Sequence, residues 1–230
     1  MAGFETVNSK VVSVQVAPGR EVVARRGAML AYTGDVRFSP LAGAGGGTGG
    51  LAGLAGTAGR LLAGERVEMM VAQGRGSVHY GFRGLHVTVV ELDGSGPLQV
   101  EADRLLAHDA GLQATLVVIG QQGGLRGAVR GLASGTGLAT TQLHGVGSVA
   151  LLSHGGTFGI AVDGGRAVAV DPQAYVAHVG DVRVDLSASV GWRDAVGRGS
   201  GEALQLTLTG RGTVYVQASE QKVRGAAWSR

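Results

Sequence analysis

The chain predicts an all-β protein of three tandem jelly-roll-like β-sandwich modules in a pseudo-threefold arrangement. Three observations carry that prediction. Two short phrases recur three times each in strict alternation, each copy of the first is preceded by a strand-turn-strand pattern, and nearly every run outside the glycine tracts is short, bounded by glycine and rich in β-branched residues. The first phrase reads "LAYTGDV" from Leu30, "LAHDAGL" from Leu106 and "VAHVGDV" from Val176. The second, G-x-G-[ST]-V, reads "GRGSV" from Gly74, "GVGSV" from Gly145 and "GRGTV" from Gly210. Either alone is weak in a chain rich in Ala, Gly and Val; six hits in alternation are a triplicated module.

In order, each module opens with a hairpin: "VVSVQVAPGREVVA", "LHVTVVELDGSGPLQVEA" and "FGIAVDGGRAVAVD" set Pro-Gly at Pro18 and Asp-Gly at Asp93 and Asp163 between β-branched runs. Further strands are expected at "VEMMVA", "ATLVVIG", "TTQLHG", "SVALLS", "RVDLSASV", "ALQLTLTG" and "TVYVQAS". In the second phrase the glycines are expected to supply positive φ at a tight turn, after which the Val starts a strand. The distance from second phrase to next first phrase barely changes, whereas the distance from first to second shrinks along the chain. The elastic part holds most of the glycine. The modules are therefore drawn at 1–81, 82–153 and 154–230, with inserts at 41–64, 123–137 and 191–202. The first insert is read as a surface loop with a helical turn at "AGRLLAGE". Its flanking span from Phe38 to Gly59 carries no charge, but its glycines give too little apolar surface for a transmembrane helix, so contact with a membrane surface is the alternative.

Composition excludes several classes. A chain of 230 residues buries roughly 70–75% of its unfolded surface, enough for a core without staples. Glycine is the outlier, 43 residues, against a usual share of about 7%. The absence of cysteine removes disulfides and thiolate metal sites, and the first residues show no basic and apolar leader pattern, so a cytoplasmic location is expected. A formal charge of +3, scattered basic residues and 4% aromatic content argue against nucleic acid as a partner.

No catalytic signature is present. There is no Gly-Lys-Ser/Thr step, no G-x-S-x-G and no H-E-x-x-H, and the G-x-G-x-x-G match from Gly45 to Gly50 lies in a glycine tract. Ser77, Ser148 and Thr213 are read as turn residues with hydroxyls on local backbone. Catalytic residues, cofactor and metal ligands are all expected to be absent, and the chain is read as a non-enzyme. One constellation stands out: Tyr32, His108 and His178 occupy the same position of the first phrase. Related by a threefold axis, they would converge on it as a ligand-binding cluster; the alternative is equivalent but distant strand positions.

"PGREVVARRGAMLAY", "RLLAGE", "VAVDPQAYVAH" and "GRGTVYVQAS", in that order, resemble the mitochondrial-biogenesis family named for altered inheritance of mitochondria, and among it the bacterial members. The resemblance spans nearly the whole chain. It implies three tandem domains akin to the tryptophan RNA-binding attenuator fold and supplies no catalytic residue. The expected function is a non-catalytic structural or assembly role through a protein partner or self-association, at a membrane surface or in a protein complex. A small-ligand or metal-binding module and single-stranded nucleic-acid binding by fold analogy are the rivals.

Overall fold

In "VVSVQV" valine alternates with polar residues, and this segment buries Val12, Val14 and Val16 on one face while Gln15 on the other is exposed. The same logic repeats along a chain whose computed structural model describes residues 3–41, 68–119, 138–188 and 204–223. The three inserts, apart from Leu41, and the helical turn expected at "AGRLLAGE" lie outside the described residues. Those residues form the strands β1 (Glu5–Asn8), β2 (Val11–Val16), β3 (Val22–Arg25), β4 (Met29–Pro40), β5 (Met69–Tyr80), β6 (His86–Asp93), β7 (Leu98–Glu101), β8 (Leu105–Asp109), β9 (Gln113–Ile119), β10 (Leu138–His144), β11 (Val146–Ser153), β12 (Thr157–Asp163), β13 (Val168–Val170), β14 (Tyr175–Ala188) and β15 (Leu204–Gln217). A single 3-10 turn, Ala102–Arg104, separates β7 from β8.

The protein is all-β, with its strands in two sheets. The first runs β1-β2-β5-β3-β8-β11-β6 with β4 also on β5; the second runs β12-β15-β14-β7-β10-β9 with β13 also on β15. The middle of the chain, β6 to β11, thus divides between the two sheets. Three apolar cores follow. The first gathers Val12, Val14, Val22, Ala24 and Val78 with Leu106, Ala107 and Leu152; the second gathers Leu98, Val100, Leu143 and Val149 with Val176 and Ala177; the third gathers Val162, Val170, Leu206, Leu208 and Val214.

The two recurring phrases turn out to be antiparallel partners. Tyr32 lies opposite Val78, His108 opposite Val149 and His178 opposite Val214, so in each case the aromatic or His residue of the first phrase meets the valine of the second. Just before it the ladder slips by one residue, at Leu30, Leu106 and Val176, the opening residue of each phrase.

The glycines of the second phrase supply the expected positive φ at Gly74, Gly145, Gly147 and Gly210, but only Gly145 lies between strands. Those of β5 and β15 sit in mid-strand, with Gly34 opposite Gly76 and Gly180 opposite Gly212. A Cβ on Gly76 would stand 1.9 Å from the Thr33 carbonyl oxygen, and one on Gly212 would stand 2.1 Å from that of Val179. The backbones approach too closely for a side chain, which a sequence reader sees only as a turn-like composition. In the middle copy the glycine comes one residue later, at Gly111. There Leu112 N–H turns back to the Asp109 carbonyl at 3.1 Å, and the long hairpin splits into β8 with β11 and β9 with β10.

Gly210→Ala tests this packing. With φ at +105° and Asp181 O 2.2 Å from the added Cβ, it should destabilise by at least about 2 kcal/mol in denaturant melts. Gly19→Ala, with positive φ but no atom within 4 Å, should cost about 1 kcal/mol; equal costs would contradict the close approach.

Candidate functional site

The opening residues of the first phrase meet different fates. In β8, Leu105, Leu106, Ala107 and His108 are all buried; in β14, so are Tyr175, Val176, Ala177 and His178. Each strand has a neighbour on its outer side: β3 sets Val23 opposite His108, and β7 sets Gln99 opposite His178. In β4, by contrast, every residue from Met29 to Asp35 is exposed. Leu30 is 56% exposed and Tyr32 47%, where Leu106 and Val176 are 0%. Among the described residues β4 pairs with β5 alone. Full burial of a residue such as Leu stabilises by about 1.5–3 kcal/mol over exposure, a gain that Leu30 at this edge does not have.

Tyr32, His108 and His178 therefore occupy one register on three strands in three environments. Tyr32 packs edge-on against Phe38, ring centroids 5.4 Å apart, at the open edge. His108 Nδ1 lies 2.8 Å from the Asp109 carbonyl, and burial holds its pKa below the usual histidine value. His178 Nδ1 shares a hydrogen bond of 2.8 Å with the Tyr175 hydroxyl, which also donates to the Gln99 carbonyl at 3.2 Å; burial pushes the His178 pKa down to about 4. Among the described residues no hydrogen bond or ring contact joins any two of the three, and no group of three His, Asp or Glu side chains is placed to hold a metal ion. Ser148, read as a turn residue, instead donates its hydroxyl to the Glu91 carboxylate at 2.5 Å and its N–H to Asp109 Oδ2 at 2.7 Å.

Sequence reasoning missed a second polar centre. Arg104, fully buried on the 3-10 turn, donates Nε–H to Glu101 Oε2 at 2.9 Å, Nη1–H to Gln217 Oε1 at 2.5 Å, and Nη2–H to the carbonyls of Gln173 and Gln221, both at 3.1 Å. Lys222 donates to the other Glu101 oxygen and to the Pro172 carbonyl at 2.7 Å. Arg25 reaches in from β3 to the carbonyls of Leu105, at 3.2 Å, and Asp103, and stacks over Phe82 at 5.0 Å. The available signal was "EADR", three charges in four residues between apolar runs. Four of the five guanidinium N–H donors are thus met, three of them by distant parts of the chain, so the side chain ties segments together. Asp103 beside it has a buried Oδ1 without a partner, and burial, followed by the charge of Glu101, pushes its carboxyl up to about 7. Among the described residues no helix is long and apolar enough to cross a membrane.

Two outcomes follow. Arg104→Met leaves Glu101 with Lys222 alone and strips Gln173, Gln217 and Gln221 of a buried donor, and should cost about 3–5 kcal/mol in denaturant melts; a loss under about 1 kcal/mol would contradict the tying role. Between about 3.8 and about 7 folded Asp103 holds a proton that the unfolded chain releases, so its contribution to stability falls as pH rises through that window. His178 acts in the opposite sense, its contribution falling as pH drops from 6.5 towards about 4. The melting temperature of Asp103→Asn minus that of wild type should therefore rise from pH 5 to pH 8 in calorimetry, and a flat difference would contradict the protonated carboxyl.

The comparisons with known proteins now fit this geometry. A crystal structure of protein SPYM3_0169 from Streptococcus pyogenes matches with a TM-score of 0.67 at 21% identity, covering 94% of this chain and 92% of that one; the likeness shows the fold. No curated protein matches. The family model described as Mitochondrial biogenesis AIM24 matches residues 4–219, and on that coverage the chain belongs to the mitochondrial biogenesis AIM24 family.

Proposed function

We propose that this protein is a non-catalytic assembly component made of three related β-modules, 1–81, 82–153 and 154–230, that works through a protein partner or self-association. The observation that carries the reading is the exposed apolar edge Met29–Tyr32, set against the burial of the corresponding residues in β8 and β14. Triplication is supported by recurring pairings. Each glycine-rich insert is flanked by strands that pair with each other, β4 with β5, β9 with β10 and β14 with β15, and a one-residue slip falls at Leu30, Leu106 and Val176. These pairings favour the jelly-roll-like modules akin to the tryptophan RNA-binding attenuator fold that the sequence resemblance implies.

The polar side chains bear on the enzyme alternative. Arg104 spends four of its five donors on internal partners and His178 is held neutral by burial, which counts against either as a substrate-handling group. A ligand or metal cluster at Tyr32, His108 and His178 has less support, since two of the three are buried in separate hydrogen-bonded settings. Without cysteine nothing in the composition marks an oxidising compartment, and the cytoplasm is our default location. The uncharged first insert makes a membrane surface the second contact to test.

Affinity capture with the full chain, paired with light scattering, tests the assembly reading, and flotation with anionic vesicles tests the membrane contact. The expected result is a stoichiometric protein complex, with the same chain or another, and no turnover. A lone monomer that recovers no protein would overturn the assembly reading.

A further inference from the structure

The two internal junctions of this chain obey one register. Across the first, Val22 lies opposite Asp109, Val23 opposite His108 and Ala24 opposite Ala107. Across the second, Leu98 lies opposite Val179, Gln99 opposite His178 and Val100 opposite Ala177. Both ladders continue with a bond at the next position, Ala110 N–H to the Glu21 carbonyl at 3.0 Å and Gly180 N–H to the Pro97 carbonyl at 3.2 Å. At each junction the slipped residue of the later strand enters the core of the earlier unit: Leu106 packs with Val22 and Ala24, and Val176 with Leu98 and Val100.

One strand of each kind is left over. β13 pairs with β15 just as β3 pairs with β5 and β7 with β10: Val168 faces Leu208, Val22 faces Ala72 and Leu98 faces Leu143, each two residues before the first glycine of the second phrase. Yet among the described residues no strand pairs with the outer side of β13, and the third core leaves Val168 and Ile160 partly exposed. At the other end, β4 carries the slipped Leu30 with no core to enter. The two free edges do not pair with each other within the chain, since β4 pairs with β5 in one sheet and β13 with β15 in the other.

We propose that the β13 edge of one copy pairs with the β4 edge of a second copy, so that the chain assembles head to tail. The junction register carries over as Val168 opposite Thr33, Ala169 opposite Tyr32 and Val170 opposite Ala31. The continuing bond runs from Gly34 N–H to the Ala167 carbonyl. One step further brings Arg166 opposite Asp35, two exposed residues of opposite charge. Leu30 enters the third core of the neighbour as Leu106 enters the first. The contact is heterologous, so it closes into a ring or extends as a filament. The inference rests on the assembly reading and names its partner as a second copy.

The experiment uses light scattering on the full chain and two variants at exposed positions. Leu30→Asp blocks the β4 edge only. Ala169→Asp blocks the β13 edge only, because its counterpart Val23 is 4% exposed at an internal junction. Wild type should have a mass that is a multiple of 23.1 kDa, and each variant alone should lose all self-association. Mixing the two should give a 1:1 dimer through the one intact pair of edges, which also proves both folded. A monomeric wild type, an assembled Leu30→Asp, or a mixture that stays monomeric while both variants keep β-sheet circular dichroism would each overturn the inference. A monomeric wild type that still captures another protein ends this inference and leaves the assembly reading standing.

Discussion

Strands passing too close for a Cβ atom between them set the geometry of this protein. Gly34 against Gly76 and Gly180 against Gly212 let the two long hairpins run on where a side chain would force them apart. The slip beside each crossing has the larger consequence. An extra residue in one strand of a ladder turns its side chain out of the local alternation. At Leu106 and Val176 that side chain goes into a core built mostly by the preceding part of the chain, joined in the first case by Ala107, Ala150, Leu152 and Val223. The cores are therefore interlocked, and one cannot be emptied without opening its neighbour.

A second tie runs through charge. Arg104 collects acceptors from the end of β7, from the segment before β14, and from the end of β15 and the residues after it, while Arg25 reaches the same region from β3. An arginine with no solvent contact is stable only when its donors are met, and here the donors join parts of the chain far apart in sequence. Chemistry that uses an arginine or histidine needs a group with capacity to spare. Arg104 has most of its donors taken and His178 is held neutral by burial, which directs attention to the surface, and there, among the described residues, β4 is the strand of its kind without an outer neighbour.

Much of the fold was legible because repetition is visible without coordinates. The chain turns at Pro18, Asp93 and Asp163 as the dipeptides indicate, but the expected hairpins do not form: β2 and β3 each pair with β5, β6 and β7 lie in different sheets, and β12 and β13 each pair with β15. What could not be read was pairing between distant segments. G-x-G-[ST]-V looks like a turn because glycine permits positive φ, and only the partner strand shows that Gly74 and Gly210 use positive φ and close approach together in mid-strand. Tyr32, His108 and His178 share a register, as the phrase implied, but whether a register position is buried depends on the strand outside it. The Arg104 centre was hidden for a related reason: its partners Gln173, Gln217, Gln221 and Lys222 follow no local spacing.

The central claim is that the free edges at the two ends of the chain are complementary in the register of its internal junctions. The chain has no cysteine, so a disulfide can report that register without background. Tyr32→Cys and Ala169→Cys, prepared separately, mixed and oxidised gently, should give a cross-linked dimer containing one copy of each, resolved by mass spectrometry. Dimers of Tyr32→Cys with itself in preference to the mixed species, or no cross-link at all, would contradict the claim.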